Sequence, residues 1–210
     1  MTTVLITGFG PFPRAPFNPS GPLAHRLAGR ARPALAGIRR IAHVFPTSYR
    51  AVDRDLPALI AHHRPSVVLL FGLAARTPHL RIETRARNLR TPLFPDAQRH
   101  HPEAPAIRPG GPPACRSHAP HPRLVAAARM VGVQARLSRD AGPYVCNFAY
   151  WRALEQGTGG DQPLVQFVHI PLIARGTVPL ARSPRRRLTL GNLTRAGEAI
   201  LLVLLAARRR

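Results

Sequence analysis

The chain has 210 residues, 45% of them hydrophobic, which is enough for one ordinary globular domain with a substantial buried core. The formal net charge is +22, yet all 31 basic residues are arginine and they are spread along the whole chain. Positive charge that is not gathered into one stripe supports only nonspecific contact with phosphates, so we expect no specific nucleic-acid partner. We predict a single domain over residues 1–210.

The sequence also predicts a soluble protein of the cytoplasm. The chain begins directly with a strand pattern, without the positively charged start and long apolar stretch of a signal peptide. Its most apolar segment, residues 199–207, is too short to cross a bilayer, so no membrane partner is expected. The two cysteines, Cys115 and Cys146, show no sign of a framework disulfide. In a reducing compartment a cysteine is more often free or catalytic than bridged.

The first half of the chain alternates between strands and helices. A buried strand at residues 3–7 ends in a loop stiffened by two prolines, which presents Phe9 and Phe12. The prolines and a missing third glycine exclude a dinucleotide-binding motif here. Ser20 is predicted to cap a helix over residues 22–27. Further elements are a strand at 41–45, a helix at 49–62 and a fully buried strand at 66–71.

The second half of the chain continues this alternation. Residues 80–86 alternate between apolar and polar types and predict a strand that carries Glu83. Residues 90–122 are rich in proline, histidine and glycine, and they predict a long surface loop. The remaining elements are a helix at 123–131, a strand at 134–137, a helix at 144–156, a strand at 164–169, a linker with Arg185-Arg186-Arg187 and a closing helix at 190–207. Strands that alternate with helices predict an α/β sandwich with a mostly parallel sheet.

Three side chains near strand ends form a candidate catalytic set. Cys146 lies where an extended stretch gives way to a helical pattern, and the amides of a helix N-terminus favour the reactive thiolate. His169 ends an apolar strand, and Glu83 lies in a strand upstream. A thiol, an imidazole and a carboxylate are the components of a cysteine hydrolase. Together with Phe9, these residues follow or end strands, which is where the active sites of parallel sheets lie.

Each of these residues also has an ordinary structural interpretation. A lone cysteine is usually a small buried hydrophobic residue, and a strand histidine is often a core or edge residue. Glu83 has arginines on either side and fits a solvated strand residue. The hypothesis therefore depends on the joint placement of all three.

Segments along nearly the whole chain resemble, in order, the motifs of type I pyroglutamyl peptidases, also called pyrrolidone-carboxylate peptidases. The run over residues 138–147 is similar to the family's cysteine motif and is the most specific of these segments. The others are Thr7-Gly8-Phe9-Gly10-Pro11-Phe12, Asn18-Pro19-Ser20, Phe71-Gly72-Leu73-Ala74, Ile82-Glu83 with Asn88, Pro95-Asp96, Gly110-Gly111-Pro112 and Val168-His169-Ile170-Pro171.

The resemblance implies a role for each candidate residue. Cys146 would be the nucleophile, His169 the base and Glu83 the residue that orients the histidine. The family removes an N-terminal pyroglutamyl residue from peptides and needs no metal or cofactor. Its fold is a three-layer α/β/α sandwich with a twisted, mostly parallel mixed sheet. Members are often homo-oligomers, so a homo-oligomer is a further expectation.

The resemblance also implies a pocket for the pyrrolidone ring. Phe9 and Phe12 match aromatic residues that hold the ring, and Tyr144 and Val145 fall where the family also lines the pocket. Pyroglutamate is a flat, uncharged lactam, so aromatic faces with a few hydrogen-bonding groups suit it.

The sequence departs from the family in two places. Residues Ala75-Arg76-Thr77 stand where the family often has two glycines and an arginine. Leu93 stands where many bacterial members have an arginine thought to help at the oxyanion, and Arg90 is a candidate replacement. Two alternatives therefore stay open. One is a weak or inactive relative that binds a small amide or peptide, and the other is an arginine-rich, nonspecific nucleic-acid binder.

Overall fold

A computed structural model of the protein describes residues 2–12, 15–156, 162–174 and 188–209. Within these ranges the strands are β1 (Thr2–Phe9), β2 (Ile38–Phe45), β3 (Val67–Leu73), β4 (Leu80–Glu83), β5 (Arg85–Arg87), β6 (Ala114–Arg116), β7 (Ala135–Ser138) and β8 (Leu164–Ile170). The α-helices are α1 (Ser20–Ala28), α2 (Tyr49–His63), α3 (His121–Met130), α4 (Val145–Glu155) and α5 (Leu190–Arg208). The predicted linker with Arg185-Arg186-Arg187 lies outside the described residues.

Six strands form one sheet in the order β2-β1-β3-β8-β4-β7. Every neighbouring pair is parallel except β8 and β4, which run antiparallel. The predicted mostly parallel mixed sheet is therefore confirmed. Strands β5 and β6 pair separately as a short antiparallel ribbon.

Helices cover both faces of the sheet. Helices α1, α3 and α5 pack with Val4, Ile6 and Phe71 on one face, and α2 and α4 pack with Leu5 and Leu70 on the other. Successive residues of a strand point to opposite faces, so a strand covered on both sides has to be apolar throughout. Strands β1 and β3 are buried along nearly their whole length and meet this requirement. The result is the three-layer α/β/α arrangement.

Two predicted segments differ from the structure. The strand predicted over 80–86 is interrupted at Thr84, whose N–H and hydroxyl both donate to the Ser138 carbonyl, at 2.8 and 2.9 Å. Strand β5 then leaves the sheet and pairs with β6. The surface loop predicted over 90–122 contains β6, and its last two residues begin α3. Pro122 fits there because the first turn of a helix has no internal partner for an amide donor.

Ser20 does not cap the first helix as predicted; it is the first residue of α1 and makes no capping hydrogen bond. Its hydroxyl accepts from the Phe9 N–H at 3.0 Å and donates to Asn18 Oδ1 at 2.7 Å. The Phe9 amide is buried and requires an acceptor, which is why the serine side chain is turned toward it. The serine therefore holds the end of β1 rather than the end of the helix.

The closing helix is longer than the apolar segment recognised in the sequence. Helix α5 has 19 residues and, by length and composition alone, is long and apolar enough to cross a membrane. Its most apolar window is 50% buried inside the protein, and its Glu198 carboxylate forms ion pairs with Arg30 and Arg32. These are the contacts of a core helix, packed on α1 and α3.

Gly8 allows β1 and α1 to approach each other closely. A Cβ at this position would lie 2.3 Å from the Ser20 carbonyl oxygen, which belongs to the backbone and cannot move aside. We expect Gly8→Ala to lower the free energy of unfolding by about 3 kcal/mol and the Tm by roughly 6–12 °C, as measured by calorimetry. In the matched control, Gly10→Ala, the nearest atom would be 3.6 Å away. Equal melting temperatures for the two variants would contradict this account.

Candidate active site

Two neighbouring rows of residues cross the sheet near the end of β8. The strand register places Gly72 of β3 opposite His169 of β8, and His169 opposite Arg81 of β4. Two residues further along, in the next row on the same face, Phe167 stands opposite Glu83. Because side chains alternate between faces, both rows point to the side covered by α2 and α4. The register therefore brings the predicted glutamate and histidine together.

Glu83 and His169 form a buried hydrogen-bonded pair. His169 Nδ1 lies 2.8 Å from Glu83 Oε1, and the Glu83 side chain is 0% exposed. Because a carboxylate only accepts hydrogen bonds, Nδ1 carries the hydrogen and Nε2 is left as the basic nitrogen. Glu83 ends β4, in agreement with the prediction that it follows or ends a strand. Because β4 runs antiparallel to β8, however, Glu83 does not share the carboxyl edge of the parallel strands and lies opposite Phe167, two residues before His169.

Arg81 is a second partner of the same carboxylate oxygen. Its Nε lies 3.1 Å from Glu83 Oε1. Its Nη2 donates to Ser138 Oγ at 2.8 Å and to the Asp140 carbonyl. The guanidinium thus joins β4 to the segment that follows β7 and leads to the cysteine.

Cys146 is the second residue of α4, so its amide is one of the N–H groups that a helix leaves without internal partners. The next residue, Asn147, anchors this end of the helix to the chain after β4. Its side chain accepts from the Arg87 N–H at 2.8 Å and donates to the carbonyls of Arg87 and Leu89, at 2.8 and 2.9 Å. These hydrogen bonds fix the start of the helix, and hence the position of the half-buried thiol.

Gly72 gives the thiol room on the sheet. A Cβ at this position would lie 2.9 Å from Cys146 Sγ and 2.7 Å from the Phe167 ring. The sulfur therefore lies directly against the β3 backbone, beside the position opposite His169. Cys146 and His169 line the same pocket, and in the part of the chain that the structure describes the imidazole makes its hydrogen bond to Glu83 rather than to the sulfur.

The surroundings of Cys146 do not favour the thiolate that the sequence predicted. Burial, followed by the negative charge of Glu83, raises the pKa of the Cys146 thiol to about 12. The backbone amide of the cysteine and the Arg81 guanidinium act in the opposite direction but are outweighed. The amide at the helix N-terminus favours the thiolate, as the sequence predicted, but burial and the Glu83 charge outweigh it and raise the pKa of the thiol above its ordinary value.

A pocket of about 290 Å³ opens over this set of residues. It is lined by Cys146, His169, Arg81, Phe9, Phe12, Asn18, Thr47, Leu73, Ala74, Asp140, Ala141, Gly142 and Tyr144. Its volume is at the lower end of small-molecule sites, which run from about 300 to 1,000 Å³. Among the described residues, no group of three or more His, Cys, Asp or Glu side chains could hold a metal ion.

Three of the four residues predicted to hold the substrate ring line this pocket. The Phe12 and Tyr144 rings lie 6.2 Å apart between centroids, and Phe9 is buried. The Tyr144 hydroxyl donates to the Pro95 carbonyl at 2.8 Å, which holds the ring in place. Val145, the first residue of α4, differs. Its side chain is fully buried in the core and is not part of the pocket lining.

The two departures noted in the sequence lie mostly away from the pocket. Leu93 is 76% exposed, and the Arg90 guanidinium donates to the Ala106 carbonyl at 3.0 Å. Neither residue belongs to the lining, so the structure does not support Arg90 as a replacement for the arginine missing at Leu93. Residues 75–77 are also outside the lining, although Ala74 belongs to it.

Known proteins resemble this chain over most of its length. The family described as pyroglutamyl peptidase matches residues 2–189. The pyrrolidone-carboxylate peptidase of Thermococcus onnurineus is 33% identical over 205 residues, covering 97% of this chain and 99% of that protein. The pyrrolidone-carboxylate peptidase of Bacillus subtilis is 33% identical over 178 residues, covering 83% and 80%. The chain belongs to the pyroglutamyl peptidase family.

Solved structures of pyroglutamyl peptidases share the fold. Pyroglutamyl peptidase I of Bacillus amyloliquefaciens matches with a TM-score of 0.85 at 28% identity, covering 99% of this chain and 98% of that chain. Pyrrolidone carboxyl peptidase from Thermus thermophilus matches with a TM-score of 0.78 at 33% identity, covering 94% and 98%. The fold class and the family resemblance predicted from the sequence are both confirmed.

Several polar residues that line this pyroglutamyl peptidase pocket were not among the site residues predicted from the sequence. Asn18 Nδ2 and Thr47 Oγ1 both donate to the Gly10 carbonyl, at 3.2 and 3.1 Å, and both residues line the pocket. Arg81 was also missed, although it stands two residues before Glu83 in a strand and must share its face. That spacing was the available signal, whereas nothing local to Thr47 indicated that the β2–α2 connection reaches the site.

The raised pKa of the thiol has a direct kinetic consequence. We expect alkylation of Cys146 by iodoacetamide to accelerate about tenfold per pH unit between about pH 7 and pH 10, because only the thiolate reacts. The measurement uses a Cys115→Ala background, which removes the other free cysteine. A rate that reaches a plateau below about pH 8 would indicate a stabilised thiolate and contradict the expectation.

The contact between Gly72 and the sulfur predicts a catalytic defect. Gly72→Ala should displace Cys146 Sγ from the sheet and lower kcat/KM on the family's amide substrates by about 10²-fold, since misplacement by about 1 Å has effects of this size. Gly29→Ala is the matched control, because its nearest atom would be 3.5 Å away. Equal activity of the two variants would show that the sulfur does not need this approach.

Proposed function

We propose that the protein is a cysteine exopeptidase that removes an N-terminal pyroglutamyl residue from peptides. The observation that carries the proposal is a single pocket in which Cys146 lies with His169, whose Nδ1 is bound to the buried Glu83. A thiol, a base and an orienting carboxylate are what acyl transfer to cysteine requires. Membership of the pyroglutamyl peptidase family supports the substrate class.

The pocket suits the ring of the proposed substrate. Phe9, Phe12 and Tyr144 offer aromatic faces to a flat lactam. Val145 belongs to the core cluster against which Tyr144 packs. Asn18 brings a polar side chain to the same space. Because pyroglutamate has no free amine, such a site needs no carboxylate to bind a charged N-terminus.

Formation of the acyl-enzyme requires removal of the thiol proton. We assign this step to His169 Nε2, because Nδ1 is occupied by Glu83. As Cys146 Sγ bonds to the pyroglutamyl carbonyl carbon, its proton passes to Nε2, and the oxyanion faces the Cys146 amide. Collapse of this intermediate breaks the C–N bond, and the imidazolium gives its proton to the leaving amine.

Hydrolysis of the thioester completes the cycle. Water attacks the acyl carbon and gives a proton to His169 Nε2, the C–S bond breaks, and the proton returns to the sulfur as pyroglutamate leaves. The pKa of the Cys146 thiol, raised to about 12 by burial and Glu83, fits this order of events, because the proton moves during the attack and not before it.

A relative that binds the same substrates with little turnover is the second candidate function. One observation favours it. Leu93 stands where many family members have an arginine, and Arg90, the candidate replacement, does not line the pocket. Loss of one oxyanion donor typically lowers turnover by about 10²–10³-fold. Such a protein would bind a pyroglutamyl aldehyde but release little product from an amide.

We propose the reducing cytoplasm as the compartment in which the protein acts. Cys115 and Cys146 are both free thiols, and a reducing environment keeps the proposed nucleophile available. Its proposed partners are small peptides with an N-terminal pyroglutamate. A homo-oligomeric state stays a prediction.

The proposed function predicts release of a fluorophore from a pyroglutamyl aminomethylcoumarin amide. Cys146→Ser should lower kcat/KM by at least about 10³-fold, and Glu83→Gln by about 10²–10⁴-fold. Glu83→Gln should also speed alkylation of Cys146 at a fixed pH, because the Glu83 charge raises the pKa of the thiol.

Circular dichroism of both variants controls for misfolding. If the parent protein and Cys146→Ser are equally inactive on the amide, the proposed peptidase function is overturned. Tight binding of the pyroglutamyl aldehyde would in that case identify the second candidate function.

A further inference from the structure

We infer that Arg81 is a positioning residue of this reaction, which holds Glu83 under His169 and ties that pair to the segment leading to Cys146. The inference rests on the proposed peptidase function and extends it to a residue outside the predicted catalytic set. Arg81 acts through Glu83 and through the backbone after β7, and three observations support this.

The first observation is that the Glu83 carboxylate is held through one oxygen. Oε1 accepts from His169 Nδ1 at 2.8 Å and lies 3.1 Å from Arg81 Nε. Within the described ranges Oε2 is buried and has no hydrogen-bond partner. Without Arg81 the carboxylate would therefore be held by the imidazole alone, and the ring would lose the fixed support that sets its orientation.

The second observation is that the same guanidinium anchors the turn before α4. Arg81 Nη2 donates to Ser138 Oγ at 2.8 Å and to the Asp140 carbonyl. Asp140 Oδ1 accepts from the Gly142 N–H at 3.0 Å, and Gly142 has a φ of 78°, which glycine adopts without strain. This turn leads directly to Cys146, so the arginine connects the base and the nucleophile through one side chain.

The third observation concerns charge. Glu83 and Arg81 are the charged groups that act on the Cys146 thiol, with opposite signs, and His169, Asp140 and Tyr144 are the other titratable groups that line its pocket. An arginine stays protonated at any pH at which proteins are folded, and its planar fork can bind a carboxylate and a carbonyl at once. Its removal would leave the Glu83 charge unopposed beside the sulfur and make the thiolate harder to form.

The test compares Arg81→Ala and Arg81→Lys with a matched control, Arg85→Ala, all in the Cys115→Ala background. The control substitution Arg85→Ala removes the same charge. The Arg85 side chain also donates to this turn, from Nε to the Arg139 carbonyl at 2.9 Å. We expect Arg81→Ala to lower kcat on the pyroglutamyl amide by about 10²-fold, with KM changed less than about threefold. Methylguanidinium should restore part of this kcat, and Arg85→Ala should keep the parental kcat.

Alkylation of Cys146 provides a readout that does not need the peptidase activity. Arg81→Ala should be alkylated several-fold more slowly than the parent at each pH below the thiol pKa. Arg81→Lys should be alkylated like the parent, because it keeps the charge, but should have a reduced kcat, because it lacks the planar fork. If the parent cleaves no pyroglutamyl amide, the proposed function fails, while the alkylation rates still test the role of Arg81.

The inference is overturned if Arg81→Ala matches Arg85→Ala in kcat and in alkylation. A reduced kcat without any response to methylguanidinium, and with a parental alkylation profile, also overturns it, since that is the result of a merely structural role. Should Arg81→Ala fail to fold, Arg81→Lys decides. A parental kcat then overturns the inference, and a reduced kcat with an unchanged alkylation profile supports it.

Discussion

The buried carboxylate of Glu83 is the group on which the rest of the site depends. Its side chain is enclosed by protein, where an unpaired charge would be strongly unfavourable. His169 and Arg81 share one of its oxygens, so the carboxylate fixes both the imidazole ring and the guanidinium. Its charge also acts on the nearby sulfur and helps to keep that thiol protonated. The antiparallel register of β4 and β8 is the constraint that places these groups together.

Most of the fold, and the residues at the strand and helix ends, could be predicted from the sequence. Strand β3 is covered on both faces, so it has to be a continuous apolar run that stands out from its surroundings. Cys146 and His169 were found because each stands at a change of pattern, one where a helix begins and the other where an apolar strand ends. Glu83 was placed with them because it lies in a predicted strand, and the family motifs gave it the role of orienting the histidine.

The sequence could not show the direction and register of one strand relative to another. The direction of β4 relative to β8 is decided by long-range pairing, so the sequence did not show that this strand runs against its neighbour, and Arg81 was overlooked. Ser20 was assigned to the helix end because local capping rules do not include the buried Phe9 amide that it binds. The pKa of the Cys146 thiol depends on burial and on a charge from another strand, which outweigh the contribution of its position at the helix start.

The neutral state of Cys146 has a consequence for the durability of the protein. Hydrogen peroxide attacks thiolates, and the raised pKa of the Cys146 thiol lowers the share of thiolate at neutral pH. The sulfur also lies against the backbone of Gly72, which limits access from that side. A nucleophile kept in this form should resist adventitious oxidation between turnovers and become reactive only when a bound substrate offers it a carbonyl carbon.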